Sequence, residues 1–164
     1  MRDFHQALST FIAELTPQPW DYTSADGTTL RVIPAGLRAE PGEAEVYVRI
    51  TRSDATGLGR YGITGPNSRG VAEVGVSTSL LPALIEALTE RTVWRDDCLI
   101  AGTLTVVAGA LAATPDGDNV VVVVTEVHSS EREETVVVLL PEAQRLPLAS
   151  ALRRALDVAR SWEN

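Results

Sequence analysis

The sequence predicts an α+β protein, with antiparallel sheet or sheets in two β-rich halves, each followed by a helix, and one more helix at the N-terminus. Three observations carry this. Short segments alternate apolar and polar residues between Gly, Pro, Asn and Ser clusters, as strands do. Three longer segments instead repeat apolar residues at helical spacing. The order of strands and then helix occurs twice.

"RDFHQALSTFIAEL" places Phe4, Leu8, Phe11, Ile12 and Leu15 on one helical stripe, ended by "TPQP". "TSADGTTLRVI" reads as a turn entering a strand that turns Leu30 and Val32 to one face. "AEVYVRIT" alternates, with Val46, Val48 and Ile50 inward and Glu45, Tyr47, Arg49 and Thr51 outward. "GRYGITG" and "VAEVGVS" are two further expected strands. "STSLLPALIEALTE" starts a helix, with Ser79 as N-cap and Pro82 in the first turn, where a missing N–H costs little.

In the second half "LIAGTLTVVAGALAAT" is one long strand or two, with Gly109 at a bulge. "PDGDN" is a hairpin turn, because Asp and Gly tolerate its dihedrals. Two valine-rich strands then meet at "SSEREE". The last helix buries Leu148, Leu152, Ala155, Leu156, Ala159 and Trp162, and Pro147 sets the start of its regular part. The whole, 1–164, is expected as one domain, with pseudo-repeats over about 20–93 and 94–164. Leu81-Pro82 and Leu146-Pro147 open the two matching helices.

The hairpin sets the architecture apart. In "DNVVVVVTEVHSSEREETVVVLL", Val120, Val122 and Val124 share one face and Val121, Val123 and Val127 the other, and Val136 to Leu140 repeat the pattern. Strands apolar on both faces are expected to be covered on both. At roughly 25 cal/mol per Å² of apolar area, several wet valines would forfeit several kcal/mol. A homodimer through the face of Val120, Val122, Val124, Val136 and Val138 is therefore expected. Asp118, Glu126, Glu131, Glu133 and Glu134 stand around it as gatekeepers against strand pairing.

Charge and composition narrow the chemistry. All fourteen basic residues are Arg, so lysine-dependent Schiff-base, PLP and Walker-type phosphate chemistry is excluded. A single cysteine gives no internal disulfide. No apolar run reaches a membrane span, and a cytoplasmic location is expected. The net charge of −8 opposes nucleic acid as main partner. Residues 28–70 nevertheless hold six arginines against four carboxylates, a local net of +2.

No catalytic residue, metal ligand or cofactor is expected. "GLGRYG" lacks the helix that a dinucleotide fingerprint needs after it. Cys98 and His128 sit in or beside strands without an oxyanion loop, and Asp116/Asp118 lack the remaining ligands of a calcium loop. Ser77-Thr78-Ser79 is read as capping, and Arg153, Arg154 and Arg160 as a solvated helix face. The expected partner surface comprises Arg31, Tyr47 and Arg49 on the outer sheet face with Arg60, Tyr61 and Arg69 in and after the Gly-rich loop. An aromatic among arginines can stack a base or grip a phosphate.

On "FHQALSTFIAEL" leading to "DGTTLRV", "STSLLPALIEAL" and "LASALRRALDVARSW", the chain resembles the bacterial secretion-chaperone fold and YbjN-type proteins in element order and acidity. That resemblance implies a chaperone- or adaptor-like dimer holding a polypeptide partner, without catalysis. The repeated strands-then-helix unit also resembles single-strand nucleic-acid binders of the PC4/Whirly kind, which implies the alternative function. A small enzyme with an unrecognised site is the second alternative.

Overall fold

The structure, a computed structural model, describes residues 19–37, 44–56, 69–99, 102–114 and 117–163. Eight strands fall into two antiparallel sheets, each in chain order. The first contains β1 (Trp20–Thr23), β2 (Thr29–Leu37), β3 (Ala44–Thr56) and β4 (Arg69–Ser77). The second contains β5 (Val93–Leu99), β6 (Gly102–Thr114), β7 (Gly117–Ser129) and β8 (Arg132–Pro141). Helix α1 (Leu81–Glu90) follows the first sheet; a 3₁₀ turn (Glu142–Gln144) and α2 (Arg145–Glu163) follow the second. Two four-strand-plus-helix units thus bear out the α+β expectation. The expected N-terminal helix and the "GRYGITG" strand lie outside the described residues.

The alternation in the sequence becomes inside and outside as expected for β2 and β3. Leu30, Val32, Val46, Val48 and Ile50 are buried. Strand β1 was not foreseen: "WDYT" is short, yet Trp20 and Tyr22 pair with Val32 and Leu30 and pack against the same core. At the centre, Leu30, Val32 and Val48 meet Leu104, Val106 and Val122 of the second sheet and Leu84, Leu148 and Leu152 of the helices. Each fully buried Val or Leu contributes about 1.5–3 kcal/mol, so this aliphatic centre holds the sheets and helices as one body.

Two local expectations need correction, and a third holds. Helix α1 is not capped by Ser79: its N-cap is Leu80, in αR conformation and without a side-chain bond. Ser79 Oγ instead lies 3.0 Å from Ser77 Oγ, while Leu80 N–H donates to Ser77 O. The last helix begins at Arg145, two residues before Pro147, which fits because a first-turn proline forfeits no helical bond. Gly109 does sit at a register break, with φ of 74°.

The valine hairpin corrects the dimer expectation. Val120, Val122, Val124, Val136, Val138 and Leu140 are all buried within the single chain. Its own core covers the face assigned to a second copy. The opposite face is partly open: Val121 and Val123 are half-buried, and Val127, Val137 and Leu139 are 46%, 51% and 44% exposed. The hairpin is thus wetter on one face, as β2 is, and a run of valines does not imply two dry faces.

Strand β8 also closes the end of the first sheet. Its beginning meets the start of β4, where Gly70 N–H donates to Glu134 Oε1 at 2.8 Å. Its end, Val137 to Pro141, faces Tyr22, Ser24 and Thr28 across an open crevice of about 400 Å³. β8 therefore runs across the strand ends of the first sheet, in the manner of orthogonal sheet packing.

Candidate functional site

The outer face of the first sheet is organised in cross-strand rows. Register places Asp21 opposite Arg31, Arg31 opposite Arg49, and Arg49 opposite Glu73. One row thus reads acid, arginine, arginine, acid across all four strands. The neighbouring row holds Ile33, Tyr47 and Gly75, and the row on the other side Thr23, Thr29, Thr51 and Val71. Two like charges directly opposite each other destabilise a sheet, so the Arg31–Arg49 pair requires flanking compensation.

The two ends of the row compensate differently. Arg31 lays its fork on Asp21, Nε to Oδ1 at 2.6 Å and Nη2 to Oδ2 at 2.8 Å. This bond raises the Arg31 pKa despite some burial. Both side chains are well exposed, at 37% and 41%, so the pair contributes only about 0–1 kcal/mol and can be exchanged for another anion. Arg49 lies deeper, 13% exposed, with Nη1 3.9 Å from Glu73 Oε2. That is too long for a hydrogen bond.

Glu73 belongs to a buried polar cluster beneath the tip of the β7–β8 hairpin. Glu45, Glu73 and Glu126 are 4%, 6% and 6% exposed. Glu73 N–H donates to Glu126 Oε1 at 2.8 Å, and Glu126 Oε2 lies 3.5 Å from His128 Nδ1. The Glu45 carboxylate lies over Gly75, where a Cβ would come within 2.5 Å of its Oε2. Burial pushes the Glu73 pKa up to about 8, against the pull of Arg49 and with the help of Glu126 and Glu45. Burial likewise lowers the Arg49 pKa. Burial thus holds Glu73 toward its neutral form, and its 3.9 Å approach to Arg49 is a loose charge contact without a hydrogen bond. Glu45 Oε2, Arg49 Nε, Glu73 Oε2 and His128 Nε2 have no hydrogen-bond partner. Buried polar atoms without partners are rare and call for a reason beyond folding. Among the described residues, no three His, Cys, Asp or Glu side chains are arranged to hold a metal ion.

Of the expected surface residues, the structure brings Arg31, Tyr47 and Arg49 together on adjacent strands. Arg69 begins β4, beyond the register break that follows Thr51. Arg60, Tyr61 and the Cys98 side chain fall outside the described residues. Glu126 and Glu134, expected as gatekeepers, have another role: they accept N–H groups along the open edge of β4. Sequence reasoning missed Asp21, Glu73 and Glu45 as parts of the site. Their outward positions in alternating strands look like ordinary wetted carboxylates.

No family model matches the chain, and no curated protein matches it. The structure is similar to the crystal structure of WHY1 from Arabidopsis thaliana, with a TM-score of 0.56 over 90% of this chain and 93% of that one. Identity is 14%, so the likeness is one of fold. It falls on the strands-then-helix architecture. That overturns two expectations: the chaperone- or adaptor-like holder of a polypeptide as the main reading, and nucleic acid as an improbable partner. The latter expectation set the net charge of −8 against a local net of +2 over residues 28–70, and the structure places two of those arginines, Arg31 and Arg49, opposite each other on adjacent strands. Among the described residues, no helix is long and apolar enough to cross a membrane.

Proposed function

We propose that the protein binds single-stranded nucleic acid across the outer face of its first sheet. The observation that carries this reading is the Arg31–Arg49 pair set beside Tyr47 and Ile33, on a fold similar to WHY1. The arginines supply phosphate contacts, and the Tyr47 ring offers a face on which any base can stack. A single strand suits this face because its bases are free to turn onto the sheet. Asp21 occupies the Arg31 fork in the free protein and yields to a phosphate, since the exposed pair contributes little.

The test is fluorescence anisotropy with a labelled oligothymidylate at low salt. Binding should weaken with salt at a slope of about −1.4 for two phosphate contacts on a single strand. Arg31→Glu with Arg49→Glu should abolish it, and Tyr47→Ala should weaken it by about 1–3 kcal/mol, the stacking of one base. Unaltered binding by the double charge reversal would place the interface elsewhere, and no binding by the wild type would end the reading.

A further inference from the structure

We propose that Glu73 is a proton-operated gate for the same face: protonated, it leaves Arg49 to a nucleic-acid phosphate, and ionised, it takes Arg49 for itself. The inference rests on the reading of that face as a single-strand binding surface.

The geometry is that of a poised pair. Arg49 and Glu73 are direct cross-strand partners, with Nη1 and Oε2 3.9 Å apart and both Arg49 Nε and Glu73 Oε2 lacking a hydrogen-bond partner. An approach of about 1 Å would turn this contact into a charge-assisted bond. With Glu73 neutral, the row Asp21, Arg31, Arg49, Glu73 carries one net positive charge. With Glu73 ionised, it carries none. The interaction is strong because Arg49 is largely withdrawn from water.

Titratable and charged groups stand on every strand of the row and on the hairpin packed against it. β1 brings Asp21 and β2 Arg31 along the row; β3 brings Arg49 and Glu45. β7 brings Glu126, whose Oε1 accepts the Glu73 N–H, and His128 beside it. β8 brings Glu134 onto the same β4 edge, with Arg132 two residues before it. Burial opposes ionisation most strongly, Arg49 favours it, and Glu126 and Glu45 add to the opposition. A phosphate seated on Arg49 adds a further negative charge near Glu73. By linkage, binding then draws a proton onto Glu73, and protonation favours binding.

Oligothymidylate affinity is to be measured by anisotropy at low salt, on both sides of pH 8, for the wild type and Glu73→Gln. Glutamine imitates the neutral acid, so the variant keeps the fold's preferred form. Wild-type affinity should fall about tenfold as pH rises through the transition, the loss of roughly one phosphate contact. Glu73→Gln should hold its low-pH affinity throughout. Calorimetry near pH 8, in buffers of different ionisation enthalpy, should show proton uptake on binding by the wild type and none by the variant. A wild type that binds without pH dependence, or a variant that keeps the wild-type pH profile and proton uptake, would overturn the gate and leave the binding face standing. Absence of oligonucleotide binding by both proteins at every pH would remove the binding face, and the gate with it.

Discussion

Arg145, the first residue of α2, donates from Nη1 to the Leu88 and Thr89 carbonyls at 2.7 and 3.1 Å, closing the C-terminal end of α1. The side chain is almost fully buried, and its Nε reaches Glu142 Oε1 at 2.8 Å. α1 has no basic residue in its last turn, so the cation its carbonyls require comes from the other half of the chain.

Arg145→Ala should therefore destabilise the protein by about 2–3 kcal/mol, since it orphans buried carbonyls previously bonded to a charged donor. Arg145→Lys should recover only part of this, because an ammonium does not reproduce the guanidinium fork. Urea unfolding followed by circular dichroism gives both numbers.

Glu73 makes stability depend on pH in an unusual direction. Its pKa is raised in the folded state, from 4.5 to about 8. At acid pH both states hold the proton and its stabilisation is complete. Between these values the unfolded chain alone ionises, which favours unfolding. Stability from this group should fall as pH rises toward 8, by a few kcal/mol at about 1.4 kcal/mol per pH unit. Glu73→Gln should flatten that decline, as read from unfolding midpoints across the range.

The two faces of β8 should respond oppositely to truncation. Leu140 is fully buried and Leu139 is 44% exposed. Leu140→Ala should cost about 2–5 kcal/mol. Leu139→Ala should stay within about 0.5 kcal/mol of the wild type. Equal losses would mean that both faces are covered in solution.

Gly109 allows β6 to pass Arg91. At its φ of 74° an added Cβ would lie 2.8 Å from Arg91 Cβ. Gly109→Ala should destabilise by about 1 kcal/mol or more, through both the left-handed backbone and the collision. Thermal unfolding should show a lower midpoint with an unchanged spectrum.

Much of the fold was legible because most strands obey a single rule. Val46, Val48 and Ile50 alternate with Tyr47 and Arg49, and burial follows that alternation. The rule also located Arg31, Tyr47 and Arg49 on one face once β2 and β3 were adjacent. It failed where burial comes from a distant segment. The outer face of β4 reads as wet in sequence, yet the hairpin tip, some fifty residues later in the chain, covers Glu73. Conversely, Val137 and Leu139 are apolar but open, because β-propensity alone suits valine to a strand. The Arg145 bond to α1 links residues 57 apart, and no local pattern announces it.

The edge of β4 has a consequence for how the chain is made. Its Gly70 and Glu73 amides are satisfied by side chains 64 and 53 positions downstream. At about 5–20 residues per second of synthesis, the first sheet emerges from the ribosome several seconds before its cover exists. During that interval the nascent strand offers bare amides to any passing polypeptide, and the hairpin's glutamates arrive last to close them off.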